Sequence, residues 1–211
     1  MNRTRSFALL LLTLALVSGS RETVQPRPVP RSPQPAETLL PGPTAPGKLR
    51  LQVAIAEHLA SRRTGLGPAE IARLAAAVVS EARARDFDPW LVLAVIEVES
   101  GFDNFAVSPV GALGLMQILP STGEALARRL GIPWRGSQTL FDPAANVKLG
   151  VAYLGELRDR FGRLPTALAA YNWGPGRIGR WLRSGSTLPV HYAQRVLSTH
   201  AETTLRPLGA S

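Results

Sequence analysis

Cysteine is absent from the 211 residues of this chain. That excludes disulfides, cysteine-ligated metal and a lipid-modified cysteine behind a leader. Histidine is scarce: His58, His191 and His200 lie far apart, without ligand spacing. Each is read as a surface or lightly buried side chain, and neither metal nor cofactor is expected. No segment sustains a two-residue polar–apolar alternation, which excludes a large sheet. Nor does any apolar run reach the roughly 20 residues of a comfortable membrane span. Acidic residues are in the minority, 15 against 24 lysines and arginines, for a net charge of +9. Such an excess favours an anionic partner, and a basic protein of this kind could serve nucleic acid, anionic lipid or an acidic wall polymer. The charge forms no block and no aromatic-interleaved stripe, so nucleic acid is not expected.

What the chain does contain, 45% hydrophobic and 18% charged residues, suits one compact domain with tails. Arg3 and Arg5, the apolar residues 7–17 and the small Ser18, Gly19 and Ser20 have the layout of an export signal over residues 1–20. The expected location is therefore the periplasm or cell envelope, membrane-anchored if the signal stays uncleaved. Residues 21–47 carry eight of the 18 prolines. This is an extended linker, read either as a spacer or as a tail left after processing. From Lys48 onward apolar spacing predicts helices over 49–63, 68–85, 89–100, 121–130, 143–161, 166–171, 176–183 and 191–203. Asp88 with Pro89 opens the third of these and Gly101 stops it. The fold class is all-α, with room for a short hairpin in the loop 108–117. Residues 48–86 form N-terminal helices, 87–203 the main domain, and 204–211 a tail.

One stretch, VIEVESGF over residues 95–102, puts two carboxylates into a run that is apolar on every face. Such a helix is buried. Glu97 and Glu99 point to roughly opposite sides, and periodicity does not choose between them. Position favours Glu99. It lies in the last turn, where the helix dipole opposes a negative charge, and apolar neighbours add a desolvation cost. A general acid needs a pKa of roughly 6, against about 4.3 for free glutamate. Glu97 is read as a buried hydrogen-bonding or ion-paired residue, with Arg83, Arg85 or another arginine as partner.

Residues 99–123, ESGFDNFAVSPVGALGLMQILPSTG, and residues 169–176, AAYNWGPG, resemble the catalytic domain of soluble-type lytic transglycosylases, relatives of goose-type lysozyme. Phe141-Asp142-Pro143, Asn146, Gly150 and Tyr153-Leu154 between them are also family-like. The resemblance covers about half the chain, residues 89–196. It implies a lysozyme-like helical domain that cleaves the β-1,4 bond between N-acetylmuramic acid and N-acetylglucosamine. Glu99 takes the place of the sole catalytic acid/base, and 1,6-anhydromuramoyl ends would result. Ser108, Gln117, Tyr171, Asn172 and Tyr192 take the places of substrate contacts. Ser108 is also explained by a loop-stabilising turn, and Met116 by core packing. Gly111 and Gly114 would let the backbone approach the sugar. Tyr171 would offer its hydroxyl to the acid, and Trp173 is either a cleft wall or a packed surface aromatic. Asp103 is read as a solvated loop residue and Asp142 as a helix cap, so neither supplies a second catalytic carboxylate.

One departure stands out. The family's Pro-Glu-Thr-x-x-Tyr is replaced here by Leu188-Pro189-Val190-His191-Tyr192, without the glutamate and two residues of spacing. The expected partners are peptidoglycan glycan strands and an envelope-spanning machine, with the chain itself a monomer. A hydrolysing muramidase and a non-catalytic wall-binding scaffold are the alternative readings.

Overall fold

The computed structural model describes residues 45–205; the expected export signal, the linker up to residue 44 and the tail from residue 206 lie outside them. The described residues form α1 (Ala45–Ala60), α2 (Pro68–Arg83), α3 (Pro89–Ser100), α4 (Pro120–Leu130), a 3-10 turn (Gln138–Phe141), α5 (Pro143–Phe161), α6 (Leu164–Trp173), α7 (Pro175–Arg183) and α8 (His191–Leu205). Proline sets most of the starts. Each helix from α2 to α7 carries it in the first or second position. There its missing N–H has no intrahelical acceptor to lose, and its fixed φ already suits the helix. For this reason α4, α6 and α7 begin one or two residues before the apolar periodicity predicts. Pro46 likewise sits inside the first turn of α1, which runs Ala45–Ala60 rather than 49–63. The 3-10 turn was too short for periodicity to signal.

Helix α3 is the centre. Pro89 and every residue from Leu91 to Ile96 are buried, because α2 and α8 pack on it. Asp88 caps it by accepting from the Trp90 N–H at 3.0 Å, and Gly101 closes it in the left-handed region. The second Asp88 oxygen meets His200 at 2.8 Å, which ties the start of α3 to α8. Ile55 and Leu59 of α1 and Leu74 and Val78 of α2 belong to the same buried cluster as Leu93 and Ile96. Each such side chain contributes about 1.5–3 kcal/mol on burial.

The long connection from α3 to α4 carries no strand ladder among the described residues. The expected hairpin reduces to isolated bridges, Val107 with Leu113 and Leu113 with Ile118. Left-handed residues at Gly111, Gly114 and Gln117 interrupt any longer extended run. This loop is fastened to α5 through Asn146, which is fully buried. Its Oδ1 accepts from Met116 N–H at 2.8 Å. Its Nδ2 donates to Leu113 and Leu140 carbonyls at 3.0 and 2.8 Å. Gly114 lies directly against this clasp: a Cβ there would stand 2.3 Å from the Leu140 oxygen and 2.4 Å from Asn146 Nδ2. The glycine is therefore required by packing against the 3-10 turn and α5. Met116 is buried and seats its sulfur where a Cβ at Gly150 would be, 2.4 Å away.

Candidate active site

Glu99 ends α3 half-buried. One hydroxyl meets it, that of Tyr192 in the first turn of α8, donating to Oε1 at 2.5 Å. Burial raises the Glu99 carboxyl above its ordinary value; the Tyr192 hydrogen bond and the Arg195 guanidinium pull it partway back. Arg195 follows Tyr192 by three residues, on the same face of α8, and its guanidinium also donates to the Val98 carbonyl at 3.4 Å. The carboxyl is therefore biased toward the protonated form while two groups stand ready for its anion. Tyr192 itself is buried, and burial together with the nearby carboxylate holds its phenol well above the usual range, so it remains a donor.

The sequence assigned the partner of the acid to Tyr171 and a sugar contact to Tyr192. The structure places them differently. Tyr171 of α6 donates to the Met116 carbonyl at 2.8 Å and so fastens the loop at the same residue whose N–H Asn146 accepts. Its ring lies 5.3 Å from that of Tyr153. Ser108 accepts the Ala112 N–H at 2.9 Å, which is the loop-stabilising turn. Gln117 donates its amide to the Ala106 and Gly114 carbonyls at 3.2 and 2.9 Å. Asn172 is exposed at the end of α6. Trp173, 41% exposed, packs edge-on against Trp181 and carries the Arg177 guanidinium over its ring.

Glu97, Asp103 and Asp142 each have a partner of their own. Glu97 faces Arg62 at 3.7 Å, so its partner comes from the connection after α1 and not from Arg83 or Arg85. Arg85 lies instead along Gly155 of α5. Asp103 accepts the Phe105 N–H at 2.8 Å, and Asp142 caps α5 through the Ala145 N–H at 2.7 Å. Among the described residues no group of three or more histidines, aspartates or glutamates could hold a metal ion. An open pocket of about 500 Å³ lined by Ile132, Arg135, Gln138 and Thr139 lies outside the acid's surroundings and does not include Glu99.

Sequence reasoning missed Arg195 and the acid-directed hydroxyl of Tyr192, because no local pattern relates α8 to α3. It registered Asn146 only as a motif member. The Tyr192 contact has a measurable consequence. Tyr192→Phe removes a hydrogen bond that favours the anion, so the Glu99 carboxyl moves further up. Titration of the Glu99 carboxyl carbon by NMR reads that shift. An unchanged or lowered titration point would deny the contact any electrostatic role.

The family model for the transglycosylase SLT domain matches residues 77–191, more than half of the chain. Over 102 residues, 47% of this chain and 16% of the relative, the chain is 39% identical to the soluble lytic murein transglycosylase of Salmonella typhimurium. Its fold matches the lytic transglycosylase Slt of Pseudomonas aeruginosa, solved as an inactive glutamate-to-glutamine mutant, with a TM-score of 0.54 and 33% identity. That match covers 63% of this chain and 25% of the other. The 70 kDa soluble lytic transglycosylase of Escherichia coli shares the fold at a TM-score of 0.54 and 23% identity, over 73% of this chain and 29% of that one. The chain spans about a sixth of the length of the soluble lytic murein transglycosylases it matches and about a third of the membrane-bound ones.

Proposed function

Because this chain belongs to the transglycosylase SLT domain family, we propose that it is a peptidoglycan lytic transglycosylase with Glu99 as its single acid/base. The observation that carries this reading is the carboxyl at the end of α3. It is raised by burial and bonded to one phenol, with the guanidinium of Arg195 nearby. In the first step Glu99 gives its proton to the glycosidic oxygen as the bond to muramoyl C1 breaks. Tyr192 and Arg195 then stabilise the carboxylate that remains. In the second step that carboxylate takes the proton of the muramoyl C6 hydroxyl while O6 bonds to C1, closing the 1,6-anhydro ring. Glu99 ends protonated, and no water is consumed. Glycosidases that lack a carboxylate nucleophile in this way draw on the substrate's own groups.

Ser108, Gln117 and Asn172 are the sugar contacts in this proposal, being partly or fully exposed. Tyr171 and Tyr192, whose hydroxyls turn to Met116 and Glu99, act on the loop and the acid instead. Work on the wall requires export, which residues 1–20 would direct. No helix among the described residues is long and apolar enough to cross a membrane.

The experiment is product analysis. Purified sacculi digested with the protein are expected to release muropeptides with anhydromuramoyl ends, each one water lighter than its reducing counterpart by mass spectrometry. Reducing ends alone would identify a hydrolysing muramidase, and no soluble product would leave a wall-binding scaffold.

A further inference from the structure

Residues 160–201 hold six arginines and not one aspartate or glutamate. All six are exposed; besides Arg195, which stands by Glu99, they are Arg160, Arg163, Arg177, Arg180 and Arg183. None of the five enters an ion pair among the described residues. Two helices bring part of this set together: measured from where a Cβ on Gly179 would stand, Arg183 is 3.5 Å and Arg160 3.8 Å away. Helix-end electrostatics accounts for some of these charges, since Arg160, Arg180 and Arg183 occupy last turns, where a cation is favoured. It does not account for Arg177, which sits in the first turn of α7, or for Arg163 at the N-cap of α6, where the dipole opposes a cation. Arg177, Arg180 and Arg183 also succeed one another at three-residue spacing, a like-charge arrangement that disfavours the helix. An anion received from outside would offset both costs.

We propose that this α6–α7 face docks the carboxylates of the peptide stems carried by the murein strand, so that the enzyme prefers stem-bearing to bare glycan; this rests on the transglycosylase reading. Placement supports it. Arg177 lies over Trp173 at 5.4 Å, and Trp173 follows by two residues the tyrosine that fastens the active-site loop. The arginines therefore extend from the end of the helix that anchors the active-site loop. Arginine suits carboxylate because its planar fork binds both oxygens. A bilayer surface fits less well: α6 and α7 expose only Trp173 and Leu182 among large apolar side chains, too little for insertion.

The test reads binding in the Glu99→Gln background, by co-sedimentation of the full chain with intact sacculi and with amidase-stripped glycan. Release of soluble muropeptides by that background within tenfold of the parent would count against the catalytic reading and leave this one to be judged on binding. The triple variant Arg177→Gln, Arg180→Gln, Arg183→Gln is expected to bind stem-bearing sacculi about tenfold more weakly, with a flatter salt dependence, and stripped strands unchanged. The corresponding triple lysine variant keeps the charge and is expected to recover most of the loss, which separates docking from misfolding. Equal loss on both polymers, or none on sacculi, would overturn the proposal. So would arginine-dependent binding to phosphatidylglycerol–phosphatidylcholine vesicles without any on sacculi.

Discussion

Glu99→Gln is expected to cut muropeptide release from sacculi by about a thousandfold, the general-acid contribution, while the protein becomes more stable at neutral pH. The two effects share one cause. Burial lifts the carboxyl in the folded state, so between its unfolded and folded titration points the native protein retains a proton that the unfolded chain has released. Stability therefore falls as pH rises through that window, stays reduced above it, and is unimpaired below the unfolded value. A neutral amide of the same shape abolishes the cost and can still accept the Tyr192 hydrogen bond. Thermal unfolding should show a higher midpoint for the variant at pH 7, the gap to the parent chain closing toward pH 4. Activity within tenfold of the parent would transfer the acid role elsewhere. A lower midpoint at pH 7 would mean that the carboxylate is paired more strongly than its burial allows.

Asn146→Ala should carry the largest cost in stability, about 3–5 kcal/mol, because it strands buried groups. The buried Met116 N–H and the Leu140 carbonyl lose the side-chain partner that satisfies them, and the Leu113 carbonyl keeps only the Ile118 N–H. Against a total of about 5–15 kcal/mol for a typical domain, a loss of that size is severe. Urea titration measures it. Asn146→Asp should be no milder: it keeps the acceptor for Met116 but turns a carboxylate toward two carbonyl oxygens. Since the same loop holds Ser108 and Gln117 and receives Tyr171, the Ala variant should also lose wall cleavage below its unfolding midpoint. A cost under about 1 kcal/mol would show that the loop's own turns suffice to hold it.

Much of the scaffold follows from local chemistry. Proline at helix starts, the Asp88 and Asp142 caps and the glycine at the end of α3 all act within a few residues of themselves. The apolar run of α3 announces burial by composition, and Glu99 stands out by its place in the last turn, since desolvation and the helix end act along one segment. The residues 99–123 and 169–176, in their order and spacing, also carried the resemblance to the family. What stayed out of reach was every assignment that depends on which helix meets which. Tyr171 and Tyr192 are both tyrosines near helix ends, and nothing in their neighbourhoods says that the first turns to Met116 and the second to Glu99. Glu97 could have paired with any of several arginines, and packing α3 beside the α1–α2 connection selected Arg62. Gly114 reads as a turn residue in sequence, whereas the proximity of Leu140 and Asn146 is what forbids a side chain there.

The sequence by itself determined the helices, the buried acid and the family. Tertiary structure decided the acid's surroundings: the hydroxyl that meets Glu99 comes from 93 residues further along the chain. Periodicity and capping are short-range effects, while the protonation of a carboxyl depends on whichever groups the completed fold brings beside it.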